Sequence, residues 1–219
     1  MRLSVVIPTL NAGDALGATL ASVTTADEVV VADGGSADAT RAIAAAVGAR
    51  VVTAPRGRGI QLAAGAEAAA GDWLLFLHAD TVLPPGWRAA VEDFAARHPR
   101  QAGYFRLRLE DEAAAARRIE RAASWRARVL GLPYGDQGLL IAATLYRDVG
   151  GYRALPLMED VDLARRLGRG RLVELPLVAA TSAERYRREG WLKRPLRNLV
   201  CLGLWFMGVP PRLIARLYA

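Results

Sequence analysis

The chain has 219 residues, of which 53% are hydrophobic and 23% are charged. This length suits one domain with a sizeable core, and this composition excludes general disorder. The formal net charge of +7 predicts attraction to phosphate-bearing partners, but the sequence contains no zinc-finger spacing and no aromatic-rich RNA motif, so we expect no nucleic-acid partner.

The first half alternates short apolar runs with alanine-rich helical stretches, which is typical of parallel α/β units. The predicted strands are residues 3–7, 28–32, 50–54 and 73–77, and the predicted helices are residues 15–23, 38–47 and 60–70. The run at residues 73–77 is apolar throughout, which predicts a strand that is covered on both faces.

The second half is less regular. A helix is predicted at residues 87–97, a half-buried strand at 103–109 and a long helix at 111–130. A short strand at residues 139–142, a helix at 159–167 and a last strand at 172–178 follow.

The C-terminal segment contains a long uncharged run. Residues 199–209 read LVCLGLWFMGV and are followed by two prolines and an amphipathic stretch. This run is too short to span a bilayer, which takes about 20 apolar residues. Three interpretations stay open: a helix packed in the core, a helix lying on a membrane surface, and a contact between two copies in a homodimer. On a membrane, lipid phosphates would face Arg194, Arg197, Arg212 and Arg216.

The cysteine content predicts a reducing compartment. Cys201 is the single cysteine, so an internal disulfide is excluded. The first residues lack the basic and apolar regions of a secretory signal. We therefore expect a cytoplasmic protein, located on the inner face of the membrane if the C-terminal segment binds lipid.

Polar loops follow all four strands predicted in the first half. They are Pro8-Thr9-Leu10-Asn11, Asp33-Gly34-Gly35-Ser36, Pro55-Arg56-Gly57-Arg58-Gly59 and His78-Ala79-Asp80. Ligands of open parallel sheets bind beyond the carboxyl ends of the strands. Each loop alone could be an ordinary turn or helix cap, but together they predict a binding edge with two arginines suited to phosphate.

His78 and Asp80 follow a strand that is predicted to be buried, and one residue separates them from each other. Asp80 could simply cap the next segment, and His78 could be a core histidine. Next to a phosphate-binding loop, a carboxylate also suits Mg²⁺, which takes one or two carboxylates and completes its shell with water and phosphate. Mn²⁺ accepts imidazole more readily.

Two further polar segments lie downstream. Residues 158–162 read MEDVD at the start of a predicted helix, where acidic residues complement the helix dipole or supply a general base. Residues 132–138 read LPYGDQG, in which Asp136 and Gln137 could hydrogen-bond a polyhydroxylated ligand.

Taken in order, these segments resemble the family 2 glycosyltransferases of the GT-A fold. The opening I-P-x-x-N lies at residues 7–11, the D-[DG]-G-S-x-D-x-T signature at 33–40, the metal-binding D-x-D position at 78–80 and the late E-D at 159–160. GRGIQ, FLHADT, YGDQG and PLMEDV also resemble a compact bacterial subgroup, the radical-SAM/selenodomain-associated transferases. The resemblance covers residues 3–170.

The resemblance implies an α/β fold with a mostly parallel sheet between helices. Its nucleotide-binding half would cover residues 1–100 and its acceptor half residues 101–180, before a helical tail at 181–219. The implied reaction is an inverting transfer of one sugar from a nucleoside diphosphate sugar, a UDP-sugar rather than a GDP-sugar, to an unidentified acceptor hydroxyl. Mg²⁺ or Mn²⁺ would be the metal.

The resemblance also implies roles for individual residues. Donor binding falls to Pro8, Thr9, Asn11, Asp33, Gly34, Arg58, Gln61 and Asp80. Asp80 and His78 would ligate the metal, Asp160 and Glu159 would be catalytic, and Asp136 and Gln137 would bind the acceptor.

The sequence departs from the family at three points. Gly34 and His78 stand where many relatives carry aspartate, and the Q-x-x-R-W motif of processive synthases is absent. Single transfer is therefore expected. Two other functions stay open: a nucleotidyltransferase, although no Arg or Lys follows the first strand in PTLNAGD, and a catalytically silent protein that binds nucleotide sugars.

Overall fold

Eight strands form one mixed sheet in the computed structural model, which describes residues 1–218. In chain order they are β1 (Leu3–Thr9), β2 (Glu28–Asp33), β3 (Arg50–Thr53), β4 (Trp73–Phe76), β5 (Thr81–Val82), β6 (Ala102–Leu109), β7 (Leu139–Ala142) and β8 (Leu172–Thr181).

Helices connect these strands and form the C-terminal end of the described chain. They are α1 (Gly13–Ser22), α2 (Thr40–Ala46), α3 (Arg58–Ala68), α4 (Trp87–Arg97), α5 (Ala114–Leu130), α6 (Ala143–Asp148), α7 (Glu159–Leu167), α8 (Glu184–Glu189), α9 (Lys193–Phe206) and α10 (Pro211–Tyr218). Single 3₁₀ turns lie at Gly135–Gln137 and Arg169–Arg171.

The strand order is β3-β2-β1-β4-β7-β6-β8-β5. The first four strands are parallel, whereas β7 runs antiparallel to both β4 and β6. Thr9 pairs with Asp33, and Asp33 pairs with Thr53, so β1, β2 and β3 end at the same level. The loops that follow these strands therefore meet at one edge of the sheet, as the sequence predicts.

The core lies between the sheet and its flanking helices. All seven residues of β1 are buried, which fits a central strand that is covered on both faces. Helix α3 packs unusually close to β1 at Gly65, where a Cβ would lie 2.4 Å from Cγ1 of Val6. Glycine is unfavourable inside a helix by about 1 kcal/mol relative to alanine, so here it serves the close approach of α3 to the sheet.

The strands and helices predicted from periodicity are confirmed with small shifts at their ends. The predicted strand at 139–142 and the helices at 87–97 and 159–167 match the observed bounds. Three short elements were not predicted: β5 has two residues, and α6 and α8 have six each. Such lengths are too short for an apolar period to be recognised.

The C-terminal helices pack against the body of the protein. Cys201 and Leu202 of α9 and Ile214 of α10 form a small core with Val161 and Ala164 of α7. Within residues 1–218, no helix has the length and apolarity that crossing a bilayer requires.

Candidate active site

Two adjoining cavities open at the carboxyl edge of the sheet. The larger, which we call the outer cleft, has a volume of about 510 Å³. The smaller, which we call the inner pocket, has a volume of about 90 Å³. Residues that line both cavities form their common wall: Arg58, His78, Asp80, Ser182 and Arg185.

The outer cleft collects most of the residues that the sequence assigned to donor binding. These are Pro8, Thr9, Asn11, Arg58, Gln61 and Asp80. Arg56 also lines the cleft, as does Arg188 of α8. The cleft therefore combines the ends of β1 and β4 with several guanidinium groups, which bind phosphate oxygens well.

Asp33 does not line either cavity. Its side chain is fully buried, and its carboxylate accepts hydrogen bonds from Thr9 Oγ1 (3.1 Å), from Ser36 Oγ (2.5 Å) and from the amides of Gly35 and Ser36. Burial alone would raise the pKa of Asp33, but these hydrogen bonds outweigh it and hold the pKa below its ordinary value of 3.8. Asp33 is therefore ionised, and its carboxylate holds the loop after β2 in place.

Gln61 occupies the space beside Gly34. Its Nε2 donates to the carbonyl oxygens of Thr9 (2.5 Å) and Ala32 (3.1 Å). A Cβ at Gly34 would lie 2.9 Å from that nitrogen. An aspartate at this position would therefore displace Gln61.

Asn11 joins the loops after β1 and β2. Its backbone has a φ of 48°, in the left-handed region that asparagine tolerates better than most residues. Its backbone amide donates to Ser36 Oγ (2.8 Å), and its side-chain Oδ1 accepts from the backbone amide of Ala37 (2.9 Å). These bonds hold the loops after β1 and β2 together at the edge of the outer cleft.

His78 lies against Gly135 in the 3₁₀ turn before β7. A Cβ at position 135 would lie 2.4 Å from His78 Nε2, so only glycine permits this contact. Nε2 is buried without a hydrogen-bond partner. Burial lowers the pKa of His78 well below 6.5, and the charges of Arg58 and Arg185 lower it further. The imidazole is therefore neutral at neutral pH.

The inner pocket brings four carboxylates together: Asp80, Asp136, Glu159 and Asp160. Asp160 Oδ2 accepts from the amide of Gly135 (3.0 Å), and Oδ1 accepts from the amide of Val161 (2.7 Å). The chain turns into α7 at Met158, whose φ of 67° is rare for a non-glycine residue. Residues held in such conformations cluster at functional sites.

Glu159 pairs with Arg58 at the start of α3. Arg58 Nε lies 3.3 Å from Glu159 Oε1. The pair can form because α3 approaches the loop before α7 closely at Gly59, where a Cβ would lie 2.3 Å from the carbonyl oxygen of Arg153. Burial raises the pKa of Glu159 above 4.5, although Arg58 opposes the rise.

The two residues assigned to acceptor binding differ in their surroundings. Asp136 lines the inner pocket, and its Oδ1 is buried without a partner. Burial raises the pKa of Asp136 above 3.8, against the charge of Arg126. Gln137, in contrast, is fully buried. Its Oε1 accepts from Arg126 (3.1 Å) and its Nε2 donates to the carbonyl oxygen of Phe105 (3.2 Å), and these bonds hold the turn in place.

Sequence reasoning did not assign the C-terminal helices to the site, yet they close the inner pocket. The side chains involved are Arg185 and Tyr186 of α8, Arg194 and Asn198 of α9, and Tyr218 of α10. Asn198 Oδ1 and Arg194 Nε are buried without partners. The one available signal was the basic-aromatic run ERYRR at residues 184–188.

The residues present can accommodate a divalent metal ion. Residues 1–218 hold no cluster of three or more His, Cys, Asp or Glu side chains in ligating positions. A magnesium-type ion does not need one, because it usually takes one or two carboxylates and completes its shell with phosphate and water. Asp80 meets this requirement on the wall between the cavities, which His78, with its unpartnered Nε2, also lines.

Comparison with known proteins gives a consistent picture. The profile of the family described as Glycosyl transferase family 2 matches residues 4–153. No curated protein sequence matches the chain.

Solved glycosyltransferase structures share the fold. S. aureus TarS, residues 1–349, is 16% identical with a TM-score of 0.68, over 92% of this chain and 65% of that one. The TarS complex with UDP-GlcNAc has 17% identity and a TM-score of 0.66, over 83% and 58% of the two chains. Glucosyl-3-phosphoglycerate synthase from Mycobacterium tuberculosis, with Mn²⁺, UDP and glucosyl-3-phosphoglycerate, has 21% identity and a TM-score of 0.58, over 83% and 70%. The predicted GT-A fold is thereby confirmed, and the chain spans less than two thirds of the first TarS structure.

Proposed function

This chain belongs to glycosyl transferase family 2, and we propose that it transfers a single sugar from a UDP-sugar to an acceptor hydroxyl, with inversion at the anomeric carbon. The observation that carries this proposal is the common wall between the outer cleft and the inner pocket. Arg58 and Asp80 face both cavities, so a donor in one could react with an acceptor in the other.

The outer cleft would hold the donor. Its arginines, Arg56, Arg58, Arg185 and Arg188, would bind the diphosphate, and the loop after β1 would line the nucleoside. Asp33 would support this site by fixing the loop after β2. A UDP-sugar is favoured because similar folds were crystallised with UDP-GlcNAc and UDP.

The inner pocket would hold the acceptor hydroxyl. Asp160 is the proposed base, because hydrogen bonds from Gly135 and Val161 fix its carboxylate beside the pocket. The acceptor oxygen would form a bond to the anomeric carbon while the bond from that carbon to the diphosphate oxygen breaks. The hydroxyl proton would pass to Asp160, a transfer worth about 10²–10⁴-fold in rate.

The other charged residues around the two cavities would have supporting roles. Glu159 would position Arg58 through their ion pair, while Asp136 would hydrogen-bond the acceptor. A divalent ion bound by Asp80, with His78 beside it, would stabilise the negative charge that develops on the departing diphosphate. Mg²⁺ and Mn²⁺ both suit such a site.

Non-processive transfer is the form of the reaction that the site favours. Helices α8, α9 and α10 close the inner pocket, which leaves about 90 Å³ for the acceptor group. We also propose a cytoplasmic location, where nucleotide sugars are made, and the bacterial subgroup indicated by GRGIQ, FLHADT, YGDQG and PLMEDV.

The test combines a binding screen with product analysis. UDP, UDP-glucose, UDP-GlcNAc and GDP-mannose are added with and without Mn²⁺, and the melting temperature is measured, because ligands of the folded state raise it. We expect the UDP compounds with Mn²⁺ to give the largest rise, and Asp80→Asn to remove the metal-dependent part.

Product analysis then separates the three functions. Slow release of UDP from a UDP-sugar in the presence of Mn²⁺ supports sugar transfer. Formation of pyrophosphate from a nucleoside triphosphate and a sugar phosphate would instead identify a nucleotidyltransferase. A raised melting temperature with no turnover of donor, with or without crude acceptor extracts, would identify a silent binding protein.

A further inference from the structure

Helix α9 presents an apolar stripe to the solvent. Leu192, just before the helix, is 82% exposed, and Met207, just after it, is 72% exposed. Between them, Leu196, Leu199 and Phe206 are more than half exposed. Residues at these intervals lie on one side of a helix.

Three polar residues of the same helix face the protein, alongside the buried Cys201 and Leu202. Arg194 and Asn198 line the inner pocket, and Arg194 and Arg197 both pair with Glu189. Surface helices of globular proteins normally turn their apolar side inward and their polar side to water. In α9, large apolar side chains also occupy the outer side, which indicates that an apolar medium covers it.

Basic side chains accompany the apolar stripe. Lys193 at the start of α9 is exposed, as are Arg212 and Arg216 of α10, which lie next to the exposed Leu213 and Leu217. Residues 190–219 contain no Asp or Glu. No ion pair to any of these three cations forms among residues 1–218.

We propose that α9 and α10 dock on the surface of an anionic membrane. The apolar stripe would enter the boundary between headgroups and acyl chains, while the three cations meet lipid phosphates. A second copy of the chain is a poorer occupant, because a twofold contact would bring two copies of this basic surface together, and residues 190–219 offer no acidic side chain to pair with the cations. The proposal does not depend on the transferase activity.

The test measures binding of the full chain to vesicles by co-sedimentation. Vesicles of phosphatidylcholine alone are compared with vesicles that contain equal amounts of phosphatidylcholine and phosphatidylserine. We expect binding to the anionic vesicles, weakening as salt screens the charges. Changing Lys193, Arg212 and Arg216 to Gln together should weaken binding about a hundredfold, since each cation near the surface contributes about fivefold.

A second variant tests the apolar stripe. Leu196→Ser with Leu199→Ser should weaken binding roughly tenfold or more, without lowering the melting temperature, because both side chains are mostly exposed. Val47→Ser is the matched control, since Val47 is 62% exposed at the end of α2, away from this surface, and its loss should leave binding unchanged.

Three results would overturn the proposal. The first is no binding to the anionic vesicles. The second is binding that persists unchanged in both the triple variant at Lys193, Arg212 and Arg216 and the double variant at Leu196 and Leu199. The third is a dimer in solution that Leu196→Ser with Leu199→Ser dissociates, which would assign the same stripe to a second copy of the chain.

Discussion

Asp160 accepts a hydrogen bond from the amide of Gly135 at 3.0 Å, and that glycine in turn lies against the imidazole of His78. Three segments far apart in the chain are thereby joined at one point: the end of β4, the turn before β7 and the start of α7. The proposed base and the proposed metal-binding loop are positioned by the same glycine.

Gly135→Ala should disturb this junction. The added Cβ would lie 2.4 Å from His78 Nε2, so either the turn or the imidazole must move. We expect the free energy of unfolding to fall by about 1–3 kcal/mol, as for other overpacked sites, and donor turnover to fall with it. Urea unfolding and UDP release measure the two effects.

The control for this variant is Gly17→Ala in α1, where a Cβ meets nothing within 4 Å. There alanine should stabilise the helix by up to about 1 kcal/mol. His78→Ala combined with Gly135→Ala should recover part of the lost stability, because the smaller side chain makes room. Equal stability of Gly135→Ala and the parent would show that the contact is not tight.

Asp160→Asn should separate catalysis from binding. The asparagine oxygen can still accept from the amide of Gly135, but its NH₂ group cannot accept from the amide of Val161, so a small loss of stability is expected. The side chain can no longer take a proton. Turnover should fall about 10²–10⁴-fold, with the affinity for UDP within about twofold of the parent. Asp148→Asn on the exposed end of α6 is the control. Parallel loss of turnover and UDP affinity would assign Asp160 a structural role instead.

The sequence predicted the parallel strands, and the polar loops that directly follow them, better than any other part of the fold. Apolar runs that end in polar residues predicted the parallel strands, and the rule that ligands bind at their carboxyl ends predicted which loops meet. The position of His78 and Asp80 after β4 follows from this reasoning alone.

Contacts between distant segments were beyond such reasoning. Spacing along the chain does not reveal that His78 requires a glycine at position 135, or that Asp33 is buried beneath its own loop. Nor does it reveal that Asn198 reaches the inner pocket, because hydrophobic periodicity locates a helix but not the surface against which it packs.

Arg58→Gln should weaken donor binding and destabilise the fold for separate reasons. The loss of a guanidinium from the outer cleft removes a proposed phosphate contact, while Glu159 is left buried without its partner. We expect the free energy of unfolding to fall by roughly 1–3 kcal/mol. Adding Glu159→Gln should restore most of this stability but not the affinity for UDP. Recovery of both would mean that Arg58 serves only the ion pair.

The ionisation of Asp33 should make stability depend on pH in acid. Hydrogen bonds from Ser36, Thr9 and Gly35 hold its pKa below 3.8 in the folded protein, so its contribution to stability is complete above that value and is lost as the pH falls through the lower, folded pKa. Asp33→Asn should therefore be clearly less stable than the parent near neutral pH, with the gap narrowing on acidification. Ser36→Ala, which removes one of these donors, should show a smaller version of the same trend. Urea unfolding at several pH values measures the gap, and a constant gap down to about pH 3 would contradict the assignment.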